Sequence, residues 1–183
     1  MNRSESSPTQ REAFLPTPEL WAGDLLRTGG GSRMAVDFVL KKAPSLRIAA
    51  IRWTGPYSDR EIRKHFEQVE KWAKDRGLTT GRWVFREPGS RTWDTGIEVR
   101  GVARSQGRVK IRTLPAATVG SVLFDPGVVE PRVIYHGLSD WLRWRRKEKA
   151  IRAVVSYREV YPGNPWRDPR AWSRTEVQFV VRK

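Results

Sequence analysis

From residue 34 onward the hydrophobic pattern runs strand, helix, strand, strand, and then runs so a second time. That repetition constrains the fold more than any other feature, because a recurring unit of this size has to pack against its own copy. "VDFVLKKAP" and "LRIAAIRW" read as a strand or a bent strand pair, "SDREIRKHFEQVEKWAKDRG" as a helix, and "RWVFRE" and "TWDTGIEVRGVA" as two strands joined by "PGSR". "RVKIRTLPAATVGSVLF" is again strand-like, "EPRVIYHGLSDWLRWRRKE" again helical, and "IRAVVSYREVY" and "TEVQFVVR" again strands. Local matches support the reading: "FRE" ending at Glu87 against "YRE" ending at Glu159, and Trp72 against Trp141. The expected fold is α+β, a duplicated strand-helix-strand-strand repeat with pseudo-two-fold symmetry and a central aromatic cleft. The repeats cover about 34–104 and 107–183, and both helices are expected on one side of the sheet.

The helix boundaries are punctuated. Ser58 and Glu61 are spaced as a capping box, and Ile62, Phe66, Val69 and Ala73 form the apolar stripe behind it. Gly77 is placed to stop that helix, and Pro131 suits the first turn of the second one.

Alternation along the strand before "PGNP" puts Ile151, Ala153, Val155, Tyr157, Glu159 and Tyr161 on one face. That face is oily except for Glu159. In the first half Trp83, Phe85 and Glu87 share a face in the same manner. A carboxylate among rings costs several kcal/mol unless something pairs with it. It suits a cationic ligand, a hydrogen-bond donor or general acid/base chemistry. Aromatic walls stack on flat ligands and attract cations. Glu159 and Tyr157 are therefore the candidate catalytic residues. Trp53, Tyr57, Phe85, Glu87, Trp93 and Tyr161 are the candidate ligand-binding residues. The structural alternatives are an ion pair between Glu159 and an arginine of a neighbouring strand, and an exposed Glu87 beside its turn. His65 and His136 stand without a Ser, Asp or metal-ligand constellation, so no metal or other cofactor is expected.

The 183 residues suffice for one domain, and 9 Trp supply apolar area that a 38% hydrophobic content otherwise lacks. There is no Cys, which excludes disulfides and thiolate metal sites. No apolar run is long enough to span a membrane and no signal-peptide pattern opens the chain, so a cytoplasmic protein with no membrane partner is expected. The net charge of +15 favours a nucleic acid or an acidic partner, yet the basic residues are scattered along the chain. Any nucleic-acid affinity is expected to be weak and non-specific. Residues 1–33 read as a flexible N-terminal arm, polar over its first nine positions and joined through "GGGS".

Three segments together resemble the GyrI-like small-molecule-binding domain, the effector module of many multidrug-sensing regulators. They are "RWTGPYSD" at 52–59, "VEKWAKDRGL" at 69–78, and "YREVYPGNPWRDPRAWSRTEVQFVV" at 157–181. The resemblance covers 34–183. It implies two strand-helix-strand-strand repeats around an aromatic cleft, with a glutamate matching Glu159 facing the ligand. It also implies a role in toxin or drug resistance. Some standalone members resemble hydrolases that open the strained cyclopropane of DNA-alkylating antibiotics, and others protect or inhibit gyrase. The chain thus reads as a binder of a hydrophobic aromatic small molecule, with hydrolysis as one form of that function. A basic gyrase- or nucleic-acid-associated protein without catalysis is the alternative. The second half has "FDPGVVEP" where the first has "GPY", so one side of the cleft is expected to differ.

Overall fold

Two prolines decide how the sheet is built. The computed structural model describes residues 36–89 and 91–183, so the expected arm at 1–33 lies outside the described residues. Each half opens with two strands separated by a proline-containing dipeptide, β1 (Val39–Ala43) and β2 (Leu46–Thr54), then β5 (Val109–Leu114) and β6 (Ala117–Phe124). Between them come α1 (Asp59–Lys74), β3 (Thr79–Gly89) and β4 (Thr92–Arg100); after them come α2 (Pro131–Lys147), β7 (Ala153–Tyr161), a single turn α3 (Pro169–Trp172) and β8 (Thr175–Arg182).

The eight strands form one antiparallel sheet in the order β1-β6-β8-β7-β3-β4-β2-β5. β1 pairs with β6, with Ala43 opposite Ala117, and β2 pairs with β5, with Leu46 opposite Leu114. The register is therefore unchanged across the break. Residues 39–54 and 109–124 form one long antiparallel ladder, interrupted only at Pro44 and Pro115, which have no N–H to donate. β2 also pairs with β4 and β6 with β8, so this ladder joins the two ends of the sheet and curls it into a barrel. The sequence pattern anticipated a bent strand pair at the first of these positions. The bend gives each half four strands around one long helix, with the leading strand of each paired to the other half.

Both helices pack on the outer face. α1 covers Ala49, Ile51, Trp83, Phe85, Trp93 and Ile97 through Ile62, Phe66, Val69 and Ala73. α2 covers Val122, Val177 and Val181 through Ile134, Leu138 and Leu142. The caps follow the sequence: Ser58 Oγ accepts from Glu61 N at 3.3 Å, Gly77 sits at φ 61° just past the helix end, and Pro131 opens α2. The inner face carries a smaller apolar group, Leu46, Ile48, Ala50, Val84 and Leu114, all 2% exposed or less. Gly96 lies among them, in register with Ala50 on one side and Val84 on the other. A Cβ there would come within 2.8 Å of Ala50 Cβ and 2.9 Å of the Ala49 carbonyl. Gly96→Ala is thus expected to destabilise the protein by about 1–3 kcal/mol, as overpacking against backbone does. The readout is a lower urea midpoint at constant m value; an unmoved midpoint would mean the strands separate freely.

One expectation fails on the strand of Glu159. The β7–β8 register shifts between Val154 and Ser156, so a bulge interrupts the alternation. Val155 is exposed and does not share a buried face with Glu159, and the parity drawn back to Ala153 and Ile151 does not hold. From Tyr157 onward the alternation is regular.

Candidate functional site

The outer face at the sheet centre brings the two halves together. β3 pairs with β7 so that Trp83 lies opposite Tyr161, Phe85 opposite Glu159, and Glu87 opposite Tyr157. Directly opposed residues of an antiparallel pair point to the same side. The expected juxtaposition of the two aromatic strand faces is therefore present. α1 and α2 belong to separate apolar clusters, and this seam of β3 and β7 runs between them.

Glu159 is 8% exposed. The Tyr135 hydroxyl donates to its Oε1 and the Tyr161 hydroxyl to its Oε2. Burial, with the Glu159 charge second, pushes both phenols well above the ordinary tyrosine range, so each stays a protonated donor. The two hydroxyls fix the carboxylate from opposite elements, α2 and β7 itself. Tyr157 meets Tyr135 edge-on at 6.1 Å and Phe179 at 6.0 Å, and the Tyr161 ring stacks at 6.4 Å on Trp172.

The remaining aromatic candidates form one continuous cluster on the α1 side. Phe85 stacks on Trp93 at 5.4 Å, and Tyr57 meets both edge-on. Trp53 lies 6.0 Å from Trp93 and donates from Nε1 to Thr95 Oγ1 at 3.2 Å; Trp93 donates to the Gly55 carbonyl at 3.0 Å. Phe85 and Trp93 are buried, whereas Trp53, Tyr57 and Tyr157 are half-buried and form the rim. Tyr57 also donates to Asp59 Oδ1 at 2.6 Å, tying the rim to the first turn of α1. Glu87 is half-buried beside Tyr157, and burial pushes its carboxyl up, opposed by a backbone hydrogen bond at Arg91.

Tyr135, Phe179 and Trp172 were absent from the sequence-based set. A signal for Tyr135 existed. The offset that matches Trp72 with Trp141 also matches Phe66 with Tyr135, a ring on the apolar stripe of α1. Trp172 had no such signal, because α3 sits inside the β7–β8 connection and has no counterpart in the first half.

No protein-family model and no curated protein sequence matches the chain. Solved structures do. The crystal structure of the EcmrR C-terminal domain is similar over 82% of this chain and 99% of that one, with TM-score 0.63 and 20% identity. The cryo-EM structure of an EcmrR–DNA complex is similar over 81% of this chain at TM-score 0.62 and 19% identity. There the matched region spans 58% of the other chain, little more than half its length. A looser likeness, with TM-score 0.45 and 12% identity over 80% of this chain and 94% of that one, is to SAV2435 bound to tetraphenylphosphonium. Among the described residues no helix is long and apolar enough to cross a membrane. The barrel of paired halves, with both helices on its outer face, is a GyrI-like fold.

Proposed function

We propose that this chain binds a flat aromatic cation at the seam between α1 and α2, with Glu159 as the opposing charge. The observation that carries the proposal is the buried Glu159 carboxylate, held at both oxygens by tyrosine hydroxyls inside an aromatic surround. The two phenol donors orient the carboxylate, and a ligand cation gains most where the competing water has been removed. Tyr57, Tyr157 and Trp172 offer ring faces and edges at the rim. Glu87 supplies a second carboxyl nearer the solvent. In the cell such a site would serve resistance, by sequestering a toxic aromatic compound.

Hydrolysis is the finer form of the proposal. Water would add to a cyclopropane carbon, the bond to the carbon beside a conjugated carbonyl would break, and its electron pair would pass to the carbonyl oxygen. Glu159 would take the water proton and return it to that oxygen or carbon. Tyr157 stands beside Glu159 on the same strand and would donate to the developing oxyanion. The strand order supports a pseudo-two-fold relation between halves, because exchanging β1–β4 with β5–β8 returns the same order read from the other end. The Phe85–Glu159 and Glu87–Tyr157 pairs would then flank the axis.

The test is incubation with a panel of flat organic cations and cyclopropane-bearing DNA alkylators, followed by mass spectrometry of protein and compounds. Retention of unchanged cations supports binding. Gain of one water by a cyclopropane compound supports hydrolysis. Failure to retain or convert any member overturns the proposal. Affinity for the retained compound should change little with salt, unlike a phosphate-driven interaction.

A further inference from the structure

Among the described residues, the inner face of the barrel, opposite the seam, holds a surplus of positive charge. Asp94 is fully buried and is the carboxylate that three guanidiniums approach. Arg52 takes both of its oxygens at 2.8 Å. Arg86 Nε lies 3.2 Å from Oδ2, and Arg112 Nε lies 3.9 Å from Oδ1. Neither of these two Nε atoms is aligned for a hydrogen bond among the described residues, and both are buried. Arg86 also lies directly across the β3–β7 ladder from Arg158, which is 4% exposed. Arg158 Nε donates at 2.6 Å to Gln178, a neutral group that relays to Glu176 at 2.6 Å. Glu176 in turn is engaged by Lys41 at 2.8 Å and by Ser121.

Like charges directly opposed across strands repel. Buried guanidiniums in excess of carboxylates call for a further anion. We propose that this face binds a small tetrahedral oxyanion of the phosphate class, cradled by Arg86, Arg112 and Arg158. A phosphate group offers several acceptor oxygens to guanidinium forks, whose five N–H donors the single carboxylate of Asp94 cannot all receive. Solvent reaches this face: the Arg52 side chain is 42% exposed and that of Arg112 30%. Burial also pulls Arg86 and Arg158 below the ordinary arginine range, a cost that a bound anion would relieve. The site lies on the opposite face of the sheet from Glu159, so its failure and that of the cation site are read separately.

The test is titration calorimetry and thermal melting with inorganic phosphate, in chloride buffer at constant ionic strength. Wild type should bind one phosphate per chain and melt about 4 °C higher near saturation. Arg112→Gln, at the solvent-facing lip, should keep the fold, weaken phosphate about 10-fold and lose most of the shift. Arg143→Gln, on the exposed side of α2, should behave as wild type. Two further arms identify the source of the phosphate. Arg112-dependent binding of AMP would extend the site to phosphoryl groups of larger metabolites. Arg112-dependent binding of a short DNA duplex without binding of free phosphate would overturn the small-anion proposal. So would a phosphate-induced shift of equal size in wild type and Arg112→Gln, the signature of general salting-out.

Discussion

Glu159→Gln is expected to weaken binding of a flat organic cation about 100-fold and, if the protein turns over a cyclopropane compound, to slow turnover by at least that factor. The substitution keeps the shape and removes both the charge and the proton acceptor. Folding should be nearly unaffected. The Gln carbonyl still accepts one tyrosine hydroxyl, and the other hydroxyl can rotate to accept from the new amide, since a phenol is both donor and acceptor. The melting temperature should therefore stay within about 3 °C of wild type. Tyr161→Phe makes a useful companion. It removes one of the two donors on Glu159 while keeping the stack on Trp172, and should cost less than the Gln variant. Melting and ligand titration of both variants decide the matter. Full affinity in Glu159→Gln would place the site elsewhere. A collapse of its melting temperature would make the carboxylate a structural element of the barrel wall.

The opposite outcome is expected at Asp94→Asn: a large loss of stability with little direct effect on the outer-face site. Asp94 sits with no exposure beneath Arg52, Arg86 and Arg112. Removing one member of a buried ion pair leaves its partners charged and uncompensated, typically at 3–5 kcal/mol. Arg52 is half open to water and can be resolvated, so the expected loss is about 3 kcal/mol, or a fall of roughly 10 °C in melting temperature. High salt should not erase the difference, because buried charges are poorly screened. The exposed Arg63–Glu67 pair on α1 supplies the contrast, where Glu67→Gln should cost under about 0.5 kcal/mol. Urea melts at two ionic strengths distinguish these cases. Equal, small losses at both positions would show that the inner face is wetter and looser than its burial indicates.

The strands and both helices were legible because they rest on local periodicity and on punctuation by Ser58, Gly77 and Pro131, and the approach of the two aromatic strands followed from the repeated element order. What local pattern could not convey was partnership. Nothing near Pro44 states that β1 turns away from β2 to pair with β6, since that choice is made by a strand far along the chain. The bulge at Val155 was hidden for the same reason: it is a property of the β7–β8 ladder and leaves no mark in "AIRAVVS". Tyr135 was passed over because a tyrosine beside the Ile134 and Leu138 stripe reads as helix packing until its hydroxyl is seen on Glu159. The net charge misled in a different way. Scattered along the sequence, the arginines looked like solvated surface, yet alternation gathers Arg82, Arg86, Arg112 and Arg158 onto the inside of the barrel.

The interrupted ladder between residues 39–54 and 109–124 has a consequence for any fragment of this protein. Each half lends its leading strand to the other: β1 leaves the first half to edge β6, and β5 leaves the second to edge β2. A chain cut between β4 and β5 would leave β2 and β6 each with one unsatisfied row of backbone groups, and β1 and β5 each without a host. Such a half could close only by borrowing the missing strand from another molecule, through the open-edge pairing that drives domain exchange and aggregation. The two halves are therefore bound as a reciprocal loan, and the protein's smallest self-contained unit is the whole barrel.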